Sequence, residues 1–92
     1  MRIRWTADAA NDLERICDYI SENSPDSALR VARKIYRSAA GLAKWPNRGR
    51  AGWVHGTREL VLAPLQYLIV YRIKDDSVEI LHIRHGAQNW RQ

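Results

Sequence analysis

Arginine and histidine side chains near the end of this sequence supply the groups that could do chemistry. Arg84 and His85 close an apolar run and stand directly before Gly86. An imidazole titrates near neutral pH, so a histidine exposed at a strand end can act as an acid or base, or contact an anion. Arg58 and Arg72 lie in two earlier runs of strand-like sequence. If the three strands are neighbours, the three arginines could form one patch that holds a phosphodiester or an acidic segment of a partner.

Simple pairing between strands is the alternative explanation for these arginines. Arg72 could pair with Glu59, or Arg58 with Glu79, across adjacent strands. Each pair would contribute a few tenths of a kcal/mol to about 1 kcal/mol. The sequence alone leaves both explanations open.

The other chemically versatile residues indicate no metal or cofactor site. His82 and His85 are three residues apart on a strand, so their side chains point to opposite faces and make poor ligands for one metal. Cys17 is the only cysteine, which excludes an internal disulfide and a cysteine-rich zinc site. The glycine-rich loop around Arg48 and Arg50 matches no nucleotide-binding spacing. It is interpreted as a turn with anion-binding arginines, and no cofactor is expected.

A β-hairpin in the second half of the chain is the element that must position Arg72, Arg84 and His85. Tyr67 to Ile73 is rich in aromatic and aliphatic residues and free of Gly and Pro, which predicts a central strand buried on both faces. Lys74 to Ser77 is a short polar turn, and Val78 to Arg84 returns as a flanking strand. Glu59 to Ala63 predicts the flanking strand on the other side, and Trp53 to Gly56 is expected to begin extended structure before it.

The start of the chain predicts a short strand followed by a helix. Apolar and basic residues alternate from Arg2 to Trp5, as in a strand. Thr6 stands where a helix N-cap belongs, and apolar residues at helical spacing follow from about Ala7 to Glu22. Asp12 is placed with the other charged residues of this helix, away from the apolar stripe.

A second helix completes the predicted architecture. Ser24 is its expected N-cap, Pro25 fits its first turn, and the helix is expected to end near Lys44. The fold class is therefore α+β: an N-terminal β-strand and an antiparallel helical hairpin packed on a small, mainly antiparallel β-sheet.

Length and charge restrict the class of protein further. The 92 residues suffice for a single domain, residues 1–92, and 46% of them are hydrophobic, which argues for a packed core. No apolar stretch reaches membrane-spanning length and no apolar signal core follows Met1, so a cytoplasmic location is expected. The net charge of +5 and the pI of about 9.9 favour anionic partners such as nucleic acid, the ribosome or an acidic protein.

Several segments, taken together and in order, resemble the RelE/ParE superfamily, the toxins of type II toxin–antitoxin (plasmid stabilisation) modules. The resemblance implies a cytoplasmic toxin that forms a hetero-oligomer with a cognate antitoxin, ParD-like or RelB-like, which wraps over it. Surplus aromatic residues, including Trp53 and Trp90, are of a kind often used at such an interface. The segments that carry the resemblance are Trp5–Ala9, Leu13–Ile20, Pro46–Gly52, Gly56–Leu60, Tyr67–Arg72 and Ile80–Ala87.

The superfamily contains ribosome-dependent mRNA endonucleases (mRNA interferases) and ParE-type toxins that inhibit DNA gyrase. Ribonuclease members are similar in this region but carry an arginine where this chain has Tyr67, and they use lysines or a glutamate in and before the preceding strand. Here that strand has Arg58, Glu59 and the apolar Leu60. The resemblance therefore favours a ParE-like gyrase inhibitor, which is not an enzyme.

The two activities imply different roles for the site residues. A gyrase inhibitor is expected to use target-binding residues drawn from the basic loop, the strand ends and the tail: Arg48, Arg50, Arg58, Arg84, His85 and Trp90. A RelE-like endoribonuclease would instead use Arg58, Arg72, Arg84 and His85 in catalytic roles, with no evident base except Glu59. A non-toxic protein-interaction module is a third alternative.

Overall fold

Two helices and five strands make up residues 1–86, the part of the chain that the computed structural model describes. No helix in this part is long and apolar enough to cross a membrane. In chain order the elements are β1 (Arg2–Trp5), α1 (Ala7–Ser21), α2 (Pro25–Gly41), β2 (Arg50–Ala51), β3 (Arg58–Val61), β4 (Tyr67–Lys74) and β5 (Ser77–His85).

All five strands belong to one sheet, with the order β1-β5-β4-β3-β2. β1 is parallel to β5, whereas the other neighbours are antiparallel. β4 lies between β3 and β5, and its residues Leu68, Ile69, Val70 and Tyr71 are all buried. Because successive residues of a strand face opposite sides of the sheet, β4 is buried on both faces. The predicted central strand is therefore confirmed.

The hairpin between β4 and β5 closes through two aspartates. Asp75 and Asp76 have φ angles of 51° and 61°. A two-residue turn with positive φ at both positions matches the right-handed twist of the strands, and aspartate tolerates this conformation better than most residues. The register then pairs Lys74 with Ser77 and Tyr67 with His85.

Both predicted helix caps are present. The Thr6 hydroxyl accepts a hydrogen bond from the Ala9 amide at 3.2 Å and donates one to the Ile80 carbonyl at 2.7 Å, so it joins the start of α1 to β5. Ser24 accepts from the Ser27 amide at 3.2 Å. α2 ends at Gly41, slightly before the expected end at Lys44, and a turn covers the difference.

The two helices cover one face of the sheet and share an apolar core with it. Small and branched side chains of the helices meet large apolar side chains of β3, β4 and β5, which lets the helices approach closely. The fully buried core comprises Ala9, Ile35, Ala39 and Leu42 from the helical side, and Leu60, Leu62, Ile69, Tyr71, Val78, Ile80 and Ile83 from the sheet side.

The segment before β3 differs from the prediction. Trp53 to Gly56 does not begin a strand: it forms bends and a turn, in which Thr57 donates from its amide to the Val54 carbonyl at 3.1 Å. Extended pairing occurs earlier, where Arg50 pairs with Glu59. Gly56, with φ of 84°, lies in this turn and explains why a strand cannot run through it.

Candidate functional site

A cleft of about 310 Å³ opens where β5 ends beside α1. Its floor comes from the ends of β4 and β5, and one wall comes from the middle of α1. Two arginines, a histidine, a carboxylate and two phenols therefore surround a small space with an apolar base. The lining residues are Asp12, Arg15, Ile16, Tyr19, Tyr67, Ile83, Arg84 and His85.

Tyr67 and His85 form the centre of this cleft as cross-strand neighbours. Their rings meet edge to face, with 5.3 Å between the centroids and 85° between the planes. Burial raises the pKa of the Tyr67 phenol, and Tyr19 and Cys17 raise this pKa further. Because the ordinary pKa of tyrosine is already about 10, Tyr67 is a neutral phenol at neutral pH. It offers a hydrogen bond but no charge.

Asp12 holds the wall of the cleft against the sheet. Beyond Ile80, β5 no longer has β1 beside it, so its edge amides need another acceptor. The buried Asp12 carboxylate takes that place: it accepts from the Ile83 amide at 3.1 Å, with His82 Nδ1 3.0 Å from the same oxygen and Arg15 Nη2 2.8 Å from the other. Asp12 therefore fixes the end of β5, and with it Arg84 and His85.

Replacing Asp12 by Ala is expected to lower the free energy of unfolding by about 1–3 kcal/mol, because the Ile83 amide loses its acceptor in a buried position. Glu14→Ala is the matched control, since Glu14 is an exposed carboxylate on the same helix. Urea unfolding of the two variants gives the comparison. Equal stability of both variants would show that Asp12 does not anchor β5.

Arg84 and His85 are the two predicted site residues that the structure brings together. Both line the cleft, on consecutive positions of β5. Arg48 is exposed and lines a separate cleft beside α2. Trp90, the predicted target-binding aromatic residue, lies outside the described residues.

The other predicted arginines hold the fold together at separate places. Arg58 Nη1 donates to the carbonyls of Asn47 at 3.3 Å and Gly49 at 2.8 Å, so it ties down the loop before β2. Arg50 pairs with the buried Glu59, and Arg72 pairs with the buried Glu79. These contacts place Arg50, Arg58 and Arg72 away from the cleft lining, and the expected patch of Arg58, Arg72 and Arg84 does not form.

Cross-strand pairing is present, as the alternative explanation expected, but the partners differ. Glu79 lies between two arginines on its neighbouring strands, Arg72 of β4 and Arg4 of β1. Glu59 accepts from Arg50 at 3.0 Å and from the Trp53 amide at 3.3 Å. The expected Arg72–Glu59 pair is wrong because Arg72 faces Glu79 across β4 and β5. The expected Arg58–Glu79 pair is wrong because β4 separates the strands that carry these two residues.

The sequence prediction missed Asp12 as part of the site. Its charge predicts a position away from the apolar stripe of α1, yet Asp12 is only 9% exposed. A signal was available, because Asp12 follows Ala9 by three residues and precedes Ile16 by four, which puts all three on one helix face. Tyr19 and Arg15 extend that face to the mouth of the cleft.

The cleft can bind a partner group more readily than it can bind a metal. Among residues 1–86, no group of three or more His, Cys, Asp and Glu side chains could hold a metal ion. Arg15 and Arg84 give the cleft a positive rim, while Tyr19 and Tyr67 give it aromatic surface. Arginine and tyrosine are the residue types that contribute most to protein–protein binding.

Comparisons with known proteins agree with this architecture. The family model of the ParE toxin of the type II toxin–antitoxin system parDE matches residues 3–90. Y4kP of Sinorhizobium fredii is 47% identical over 91 residues, covering 99% of this chain and 94% of that protein. Toxin RelE2 of Caulobacter vibrioides is 41% identical over 87 residues, covering 95% of this chain and 97% of that protein.

A solved structure gives the same fold. A chain of the chromosomal ParDE toxin–antitoxin system from P. aeruginosa superimposes with a TM-score of 0.82 at 31% identity, covering 92% of this chain and 95% of that chain. The helical hairpin on a five-stranded sheet and the sequence match over nearly the whole chain lead to one conclusion. This chain belongs to the ParE family of toxins of type II toxin–antitoxin systems.

Proposed function

We propose that this toxin acts by inhibiting DNA gyrase, as the resemblance to ParE-type toxins implies. One observation carries the proposal: the four candidate catalytic residues of a ribonuclease, Arg58, Arg72, Arg84 and His85, do not share a site. Arg58 binds loop carbonyls and Arg72 binds Glu79, which leaves only Arg84 and His85 in one cleft. RNA cleavage needs a base for the 2′-hydroxyl and cations for the developing negative charge.

Tyr67 supports the same choice. It occupies the position at which ribonuclease members of the superfamily carry an arginine. Its phenol is neutral at neutral pH, because the ordinary pKa of tyrosine is about 10 and burial raises the pKa of Tyr67 further. The cleft therefore has a positive rim and, at Tyr67, an aromatic surface without the positive charge of an arginine. Such a surface suits contact with another protein better than stabilisation of a phosphorane.

An antitoxin partner is supported by the family and by the ParDE structure that resembles this chain. We infer that the antitoxin binds as an amphipathic helix or strand beside the sheet. The 64% exposure of Trp53 supports this proposal, because an exposed aromatic residue suits a protein interface. The complex is then a hetero-oligomer of toxin and antitoxin.

Induced expression followed by pulse labelling tests the target. We expect incorporation of labelled thymidine to fall before incorporation of labelled methionine, and co-expression of the cognate antitoxin to restore both. If translation fails first and mRNA is cut at reproducible codon positions, the gyrase proposal is wrong. Co-expression of the antitoxin is the control that distinguishes specific toxicity from a general effect of overexpression.

Ribosome-dependent mRNA cleavage is the second candidate. The observation that favours it is the grouping of Arg84, His85 and Tyr67 in one cleft, which offers a cation, an imidazole and a phenol within a small space. The 41% identity to a protein named Toxin RelE2 is compatible with either target, because that name specifies none.

A further inference from the structure

Positive charge is concentrated in one continuous part of the chain. Residues 27–58 contain eight of the 15 Lys and Arg residues and none of the 10 Asp and Glu residues. The remainder of the chain is therefore net acidic, although the whole protein is basic. Unpaired cations that lie together in such a segment attract anions.

Five of these cations form a surface that we name the α2 basic face. Arg30, Arg33, Lys34 and Arg37 follow helical spacing on α2, and Arg48 joins them from the next loop. All five are exposed and, with Ser38, line one cleft. The four helical residues extend about 10 Å along the helix, on the side away from the buried Ala28, Ile35 and Ala39.

The α2 basic face has no internal role that explains its charges. Within residues 1–86 none of its five cations forms an ion pair. Their one side-chain hydrogen bond joins Arg30 to the Ser27 hydroxyl at 2.9 Å. Like charges three and four residues apart on a helix destabilise it by about 0.2–0.5 kcal/mol per pair. The helix therefore carries a repulsive arrangement that an external anion would relieve.

The composition of the face identifies the anion. Its lining consists of cations and one serine, without the apolar or aromatic centre on which protein interfaces depend. Four of the five cations are arginines, whose planar fork binds phosphate through two hydrogen bonds. The row of about 10 Å is long enough to meet more than one phosphate along a strand of B-DNA, whose phosphates follow one another by about 3.4 Å of rise along the axis.

We propose that the α2 basic face binds the phosphate backbone of duplex DNA without sequence preference. The choice of DNA over RNA rests on the proposed function, because a gyrase inhibitor meets its target on DNA. The site is distinct from the cleft at the end of β5, so the toxin contacts protein with one surface and DNA with another. Base stacking takes no part, and the exposed Trp45 beside Arg48 is not required.

Fluorescence anisotropy with a short labelled DNA duplex of mixed sequence tests this proposal on the full chain. The double variant R33E/R37E is expected to weaken binding at least about 10-fold and to reduce the slope of log K against log salt by about 2, since each lost phosphate contact removes about 0.9 from the slope. The helix is expected to remain folded, because each new glutamate gains a cation three residues before it, Arg30 or Lys34, which offsets the like-charge pair that the two glutamates form with each other.

The double variant R2E/K74E is the matched control. It removes the same net charge at two exposed positions, one on β1 and one at the end of β4. It is expected to change affinity less than about 3-fold, because neither residue lines the cleft of the α2 basic face. A Trp45→Ala variant is expected to bind like the unchanged chain.

Four outcomes would overturn the proposal: no binding of duplex DNA, an equal loss in both double variants, tighter binding of RNA or of single strands, or competition by polyglutamate as strong as by DNA. The experiment contains no gyrase. Loss of gyrase inhibition and loss of DNA binding are therefore measured separately, and either idea can fail while the other stands.

Discussion

Val70→Asp is expected to unfold the protein at ordinary temperature. Val70 is 5% exposed in the central strand β4, and its cross-strand neighbour on β3 is Glu59, itself 1% exposed. The substitution places a carboxylate in a buried site directly opposite another carboxylate. An uncompensated buried charge costs about 3–5 kcal/mol, which is comparable with the whole stability of a small domain, about 5–15 kcal/mol.

Val61→Asp is the matched control for this variant. Val61 lies on the neighbouring strand β3 and is 49% exposed, so its carboxylate stays in water. Val61→Asp is expected to lower the free energy of unfolding by about 1 kcal/mol or less, because strand propensities differ by about 1 kcal/mol between residue types. Circular dichroism melting curves of both variants give the comparison. A Val70→Asp protein that melts like the Val61→Asp protein would show that β4 is not the buried centre of the sheet.

Charge reversal at Arg84 has the largest effect that we expect on function. If the cleft binds gyrase, Arg84→Glu should raise the toxin concentration for half-inhibition of supercoiling at least about 10-fold, because an interfacial charge pair that is broken costs about 2–5 kcal/mol. Arg84→Lys keeps the charge but not the guanidinium fork, and an intermediate effect is expected. Binding of the antitoxin and the melting temperature show whether each variant is folded.

His85→Ala separates the two candidate activities. Loss of a general acid–base group lowers a catalytic rate by about 10²–10⁴-fold, so an mRNA endonuclease would lose its cleavage. A gyrase inhibitor has no cleavage to lose, and His85→Ala should weaken its inhibition instead, because His85 lines the proposed target-binding cleft and its ring contacts Tyr67. Codon-specific cuts in mRNA that depend on His85, with supercoiling unaffected, would contradict the proposed function.

The elements that the sequence predicts well are those specified by local signals. Six of the seven residues from Tyr67 to Ile73 are aromatic or aliphatic, and Thr6 and Ser24 stand at the cap positions, so the central strand and both helix starts follow from neighbouring residues. β2 was missed because its two residues form a strand only through pairing with β3. Nothing in their own composition distinguishes them from the loop around them.

The site depends on contacts between residues far apart in the chain, which the sequence does not reveal. The Asp12 carboxylate binds the Ile83 amide across 71 positions. The parallel placement of β1 at the sheet edge leaves β5 open at that point, and no local pattern indicates where β1 ends relative to β5. The arginine partners were mispredicted for the same reason, since Glu79 pairs with Arg4 of β1 as well as with Arg72.

Supercoiling of a relaxed plasmid by purified gyrase tests the proposed target most directly. The toxin is added alone or after mixing with its cognate antitoxin. We expect supercoiling to stop with toxin alone and to recover when the antitoxin is present. Full supercoiling activity at a large excess of folded toxin, which still binds its antitoxin, would contradict gyrase inhibition.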